Sequence, residues 1–527
     1  MIDLRPNRRA LIVGGAALMI GARGAAAARP GVWHQGGLST LAQGHIQGRA
    51  EDGVVVFKAI PYAAPPIGPN RFRPPQLAPV WQGVRDGTEW GSAPIQPNPS
   101  FGMSPRDALG TDSRSEDCLL LNVFAPDGPG PHPVYVWVHG GGNETGAASQ
   151  PPFDTGSFAR AGIVCVTVGY RLGVLGFLEL GGLLGPEWRS SANNGLKDIV
   201  AALRWVRRNI ASFGGDPARV TLGGESAGGK NVVSLMAAPS ARGLFHRAIV
   251  ESGGETSHDP QRAATLGETA RGWLAERGLS ADALRTLPPS EMLTLQDSIR
   301  ARFDRPFPFR AVIDGAFLPR APLAAAQAGA SAQVDLLIGT NRDESIVFLD
   351  RSRIGQPLAQ SELSNMDLTV ASPVFDRYRA NYPNLTPIAL RARFLTAEEY
   401  WRPSMALALN RAAQGSARTY LYRFDHPAVA GPFKGSTPHA AELGYAWDRL
   451  DTPIARRFGQ TTTAADLALA AEMHGRWSSF IMTGSPQRAG SPTWPAFAAS
   501  SREARIGDSA TYIAEIDDNE WALWSGR

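Results

Sequence analysis

The chain has 527 residues, 43% of them hydrophobic, with 57 Gly and 41 Pro: enough apolar material for a large core threaded by many loops. Its 52 basic and 48 acidic residues give a net charge of +4, and the four Lys (58, 197, 230 and 434) leave 48 Arg scattered among acids rather than gathered in a stripe. That distribution points away from nucleic acid, and two cysteines without a Cys/His cluster at ligand spacing point away from a metal centre or a disulfide scaffold.

The first element is an address. "RPNRRALIVGGAALMIGARGAAAARPG" opens with Arg5, Arg8 and Arg9, continues as a Gly-diluted apolar run over 10–22, and ends in small residues that suit an Ala-x-Ala cleavage site before Arg29. The run of about 13 residues is shorter than the roughly 20 needed to span a bilayer. Residues 1–28 therefore read as an export signal for a periplasmic or secreted protein; Arg8-Arg9 favours the twin-arginine route, with Sec as the alternative. Cleavage takes four Arg and one Asp from the net +4 and leaves +1.

Beyond the leader, six short apolar runs are expected as strands: "VYVWVHG" (134–140), "GIVCVTVGY" (162–170), "RVTLGG" (219–224), "RAIVES" (247–252), "VDLLIGT" (334–340) and "TYLYRF" (419–424). Unbroken rather than alternating hydrophobicity suits strands covered on both faces. Cys165 lies inside the second run, and both it and Cys118 read as small hydrophobes. Between the second and third runs, Leu196, Ile199, Leu203, Val206 and Ile210 recur at helical spacing, and Gly214, Gly215 and Pro217 stop the helix. Strand–helix–strand at this spacing predicts an α/β fold, a mostly parallel sheet with helices on both faces. Residues 255–330 and 350–415 break the rhythm with Arg/Ala-rich helical segments. No flexible linker bounds them, so they read as insertions in a single domain over 29–527.

Two glycine-rich turns carry the chemistry. Gly224-Glu225-Ser226-Ala227-Gly228 is a G-x-S-x-G pentapeptide between an expected strand and an expected helix, the setting in which a sharp turn strains the serine backbone and exposes Oγ. "VHGGGNETG" (138–146) follows another expected strand and can aim backbone N–H groups at one point, as an oxyanion requires. It lacks the Gly-Lys-Ser/Thr ending of a phosphate-binding loop.

Together with "FKAIPYAAPPIGPNRFRPP", "SEDCLLLNVFAP", "YRLGVLGF", "GLFHRAIVESG", "IGTNRDE" and "HAAELGYAW", these motifs resemble the type-B carboxylesterases, the α/β-hydrolases that include bacterial carboxylesterases and cholinesterases. The likeness runs from about Gly53 to Trp494. It implies the α/β-hydrolase fold with large helical insertions, and a serine esterase acting on small-molecule carboxylic esters without metal or organic cofactor. It implies Ser226 as nucleophile, Glu344 as acid and His439 as base, in the chain order of that fold and each in a loop after a strand. It further implies Gly141, Gly142 and Ala227 as oxyanion donors. Glu225 and Glu442 are either supporting carboxylates of the site or hydrogen-bonded groups in buried loops.

The competing residues are read otherwise. Asp343, beside Glu344, suits a turn-capping or Arg342-pairing role; His426 ends a strand and His474 sits in a helical pattern. The sequence departs from the family at Asn143, where an aromatic is frequent, at Lys230, where a small residue is usual, and at Ile95, where many relatives place the partner of the cysteine in "EDC". Both thiols are therefore expected to be free. Cholinesterases hold the quaternary ammonium on an indole before "EDC"; residues 96–115 contain Phe101 and no Trp, which implies neutral esters over choline esters. Catalytically dead binding proteins of this family are usually marked by loss of the serine or histidine, both present here. Amide and lactone hydrolases share every catalytic residue, and the oligomeric state is not legible.

Overall fold

The protein is described from a computed structural model over residues 37–99, 103–154, 156–415, 417–498, 504–506 and 518–525. The expected leader, residues 1–28, lies outside them, as does Phe101.

Ten strands form one twisted sheet: β1 (Arg49–Glu51), β2 (Val54–Pro61), β3 (Leu120–Pro126), β4 (His132–Val138), β5 (Val164–Val168), β6 (Gly215–Glu225), β7 (Arg247–Glu251), β8 (Asp335–Asn341), β9 (Thr419–Phe424) and β10 (Ala504–Ile506). Their order across the sheet is β10-β9-β8-β7-β6-β4-β5-β3-β2-β1. All neighbours from β10 to β5 run parallel, and β5-β3, β3-β2 and β2-β1 are antiparallel. The six expected strands are β4 to β9. The antiparallel end, β1 to β3, was not among the expected strands.

Central strands Val134–Val138 and Val164–Val168 are essentially without exposure, so their continuous Val-rich runs report two covered faces. The longer helices are α1 (Asn194–Asn209), α2 (Ala227–Ala237), α3 (Pro260–Ala275), α4 (Pro289–Arg302), α5 (Leu368–Asn381), α6 (Pro387–Thr396), α7 (Arg402–Ala413) and α8 (Ala464–Thr483). In α1 and the 3₁₀ turn that follows it, Leu196, Ile199, Leu203, Val206 and Ile210 are fully buried. Each such side chain contributes about 1.5–3 kcal/mol of apolar burial. The turn ends on Gly214 at φ 75°, and Gly215 already opens β6. The second glycine thus starts a strand instead of prolonging the loop.

The segments 255–330 and 350–415 supply α3 to α7, the expected helical insertions. A π-turn, Ala397–Trp401, joins α6 to α7. Such turns displace one residue from the helical register, and here the displaced stretch carries Glu399 and Tyr400 toward the site described next. Cys118 and Cys165 are free and buried, as expected, with burial holding both thiols above their usual value. Ile95 packs on the main core and shares a small cavity wall with Cys118. Among the described residues, no helix is long and apolar enough to cross a membrane.

Candidate active site

The loops after the carboxyl ends of β4, β6, β7, β8 and β9 converge, the usual place for a ligand on a parallel sheet. Ser226 leaves β6 with φ 56° and ψ −125°, a backbone conformation that costs a non-glycine residue about 1–3 kcal/mol. Its N–H donates to Glu251 O at 2.9 Å, and α2 starts at the next residue. The turn is possible only because Gly224 and Gly228, two residues to either side, lack side chains: a Cβ on Gly228 would stand 2.1 Å from Val138 O.

After β4, Gly141 (φ 107°) and Gly142 (φ 67°) turn in the left-handed half of backbone space, and a Cβ on Gly141 would meet Thr145 O at 2.2 Å. The N–H groups of Gly141, Gly142 and Ala227 donate to nothing among the described residues. Asn143 follows at φ 58°, which Asn tolerates better than an aromatic. Its amide donates to Phe309 O (3.0 Å) and accepts from Asn231 Nδ2 (2.8 Å), tying the glycine loop to α2 and to the first insertion. The departure at Asn143 thus fastens the loop.

His439 follows β9, 7% exposed, between the rings of Tyr400 and Phe348. Its Nδ1 is 2.6 Å from Glu344 Oε2. Glu344 Oε1 accepts from Ser252 Oγ (2.6 Å) and Asn341 N–H (2.7 Å). On the other side of the ring, Nε2 is 3.1 Å from Glu225 Oε1 but off the hydrogen-bond direction, since that oxygen has no hydrogen-bond partner among the described residues. No hydrogen bond links Ser226 Oγ to the imidazole in this conformation. Such bonds are frequently long without substrate and tighten when it binds.

The alternatives are occupied elsewhere. Asp343 accepts from the Thr437 N–H (2.9 Å) and pairs with Arg342 (2.9 Å). His426 faces Asp466 at 3.0 Å, and His474 Nδ1 lies 2.9 Å from Ala446 O.

Four glutamates, 225, 251, 344 and 442, are buried around this histidine and Ser252. Burial, reinforced by the charge of Glu344, pushes Glu225 and Glu442 well above the carboxylate range. Burial also pushes Glu251 up to about 8, although Trp477 Nε1 donates to it at 2.9 Å. These three favour their protonated forms, and Glu344 is the carboxyl that faces Nδ1 of the ring. Glu442 also accepts from Asn341 Nδ2 (2.5 Å).

Ser252, Asn341, Glu251 and Trp477 were not singled out from the sequence. Ser252 and Asn341 could have been suspected from their places at the ends of β7 and β8. Trp477 is brought in by α8, and no local signal announces it. Arg310 and Tyr400, which wall the space beside Ser226, and Glu399, which pairs with Arg310, were missed for the same reason.

A strained serine after a central parallel strand, a buried carboxylate and histidine paired on the loops two and three strands beyond it, and glycine-loop amides without partners among the described residues define a serine hydrolase of the α/β-hydrolase fold. The carboxylesterase family model matches residues 37–524, and the chain belongs to that family. It is a carboxylesterase, cleaving carboxylic esters to acid and alcohol. It is 35% identical over 491 residues to the para-nitrobenzyl esterase of Bacillus subtilis, covering 91% of this chain and 96% of that protein. It is 32% identical over 490 residues to the fumonisin B1 esterase of Sphingopyxis macrogoltabida, covering 90% and 87%. Among solved structures, a Geobacillus stearothermophilus carboxylesterase superposes with a TM-score of 0.80 at 32% identity, covering 93% of this chain and all of that one.

Proposed function

We propose that this carboxylesterase works through an acyl-enzyme on Ser226, with His439 as base and Glu344 as its carboxylate partner. The observation that carries the reading is the 2.6 Å contact between His439 Nδ1 and Glu344 Oε2, on loops 95 residues apart that converge beside a strained serine. Nε2 of the ring takes the Ser226 proton as Oγ attacks the ester carbonyl, then returns it to the departing alcohol; water repeats the cycle on the acyl-enzyme. Glu344, fixed by Ser252 and Asn341, keeps the ring in the tautomer that leaves Nε2 free and stabilises the imidazolium. The amides of Gly141, Gly142 and Ala227 receive the oxyanion, each worth roughly 2.7–4 kcal/mol in the transition state. Glu225 and Glu442 support the site as neutral carboxyls.

The substrates proposed are neutral esters rather than choline esters. Residues 1–28 are proposed as a cleaved export signal and 29–527 as one catalytic domain, acting in the periplasm or outside the cell. The chemistry is tested with a fluorophosphonate: the adduct should map to Ser226 alone. Ser226→Ala should fold and lose roughly 10⁶ in kcat, because the triad acts as a unit. An adduct on another serine, or an active Ser226→Ala, overturns the assignment.

A further inference from the structure

The cavity beside Ser226 is bordered by two cations, Lys230 and Arg310. Lys230 lies one helical turn beyond the serine, its N–H donating to Ser226 O at 2.9 Å, so its side chain shares the face of α2 nearest the nucleophile. The ammonium pairs with Glu399 and lies 4.8 Å from the ring centre of Tyr400 and 5.5 Å from that of Phe307. Arg310 spans both oxygens of the same carboxylate at 3.2 and 3.4 Å.

One carboxylate thus serves two buried cations. Arg310 spends its remaining donors on Phe307 O, Thr256 O and Asn365 Oδ1. Lys230 has one acceptor for three N–H bonds among the described residues. The neighbouring Glu398 borders no part of this cavity; its oxygens are taken by the N–H groups of Ser364, Asn365 and Met366. Thr256 also borders the cavity. It is only 8% exposed, and its hydroxyl hydrogen-bonds to nothing among the described residues. A buried cation short of acceptors beside an idle hydroxyl is costly unless an anion completes it. Burial accordingly holds Lys230 below the usual lysine value, with Glu399 pulling it up and Arg310 pulling it down.

We propose that Lys230 and Thr256, backed by Arg310, form a subsite for a carboxylate carried by the ester substrate. One helical turn rises about 5.4 Å along the backbone, and probes with two or three methylenes between carboxylate and ester span a distance of that order. The reaction is unchanged: one water adds across the acyl C–O bond, and one product is a dicarboxylic acid or a hydroxy acid. The inference rests on Ser226 as nucleophile; it keeps neutral esters above the cationic choline esters and ranks esters carrying a carboxylate above the neutral ones.

The test compares pairs of equal shape. Monoethyl glutarate, which carries the anion on the acyl side, is set against the neutral ethyl 5-methylhexanoate. The butyrate ester of 3-hydroxypropionate, which carries it on the alcohol side, is set against the neutral isopentyl butyrate. At low salt the anionic member of one pair should have a kcat/KM at least roughly tenfold higher, the range of a charge-assisted hydrogen bond in a desolvated site. The arm that responds identifies the side of the ester bond. Lys230→Met should abolish that ratio and Lys230→Arg should retain part of it. If Lys230→Met does not fold, competitive inhibition of the unsubstituted enzyme by glutarate, weakened by salt, is the second readout. A ratio at or below one in both arms, or one that survives Lys230→Met, overturns the subsite while the esterase reading stands. No turnover of either neutral ester would instead strike at Ser226.

Discussion

The hydroxyl of Ser252 lies 2.6 Å from Glu344 Oε1, the oxygen of that carboxylate that does not face His439. With the Asn341 N–H on the same oxygen at 2.7 Å, the carboxylate is held from the ends of two adjacent strands, β7 and β8. Its other oxygen is then fixed against the imidazole. Asp343, one residue earlier, is committed to Thr437 and Arg342 and anchors the backbone of the histidine loop instead.

From this division of labour, Glu344→Gln should cut kcat by roughly 10⁴, the loss expected when the acid of such a triad becomes neutral. Asp343→Asn should cost less than tenfold, because Asn still accepts from Thr437 and a part-exposed pair with Arg342 is worth only about 0–1 kcal/mol. Steady-state kinetics on one p-nitrophenyl ester decide it. The reverse ranking would move the acid to Asp343.

The buried carboxyls make stability depend on pH. Glu251 titrates near 8 in the folded protein, because burial disfavours its anion, against a usual value near 4.5. Between those values the folded state binds more protons than the unfolded one, so stability falls as pH rises. Glu225 and Glu442 are raised for the same first cause and act in the same direction. Melting temperature should therefore decline from pH 5 to pH 8, and Glu251→Gln, which still accepts from Trp477, should flatten the decline. An unchanged slope in Glu251→Gln would show that this carboxyl is not the titrating group.

Choline esters should be poor substrates. No Trp occurs over 96–115, and the cavity beside Ser226 already carries Lys230 and Arg310, which repel a quaternary ammonium. Turnover of butyrylcholine should fall below that of a neutral butyrate ester of similar size. The opposite order would refute the neutral-ester preference.

Export is tested on the precursor. Arg8→Lys with Arg9→Lys should trap it in the cytoplasm if the twin-arginine route is used. Normal export of the double variant would assign the Sec route, and a mature protein retaining residues 1–28 would remove the leader altogether.

What the sequence determined by itself is local. Six apolar runs fixed the six strands β4 to β9, because burial on both faces demands continuous hydrophobicity. The glycines at 224 and 228 and at 140 and 141 marked turns that no side chain could enter, and the motifs named the family. The antiparallel strands β1 to β3 were not read, since their pairing is a property of partners rather than of each segment. What only the tertiary structure decided is long-range. Glu344 is supported by Ser252 from 92 residues away, Glu251 meets Trp477 across 226 residues, and Lys230 shares Glu399 with Arg310. Hydrogen bonds and charge pairs of this kind leave no periodicity in the chain. They exist because the parallel sheet brings the ends of successive strands to one edge and packs α2, α8 and the insertions against it, where burial strengthens each charge and makes its partner matter.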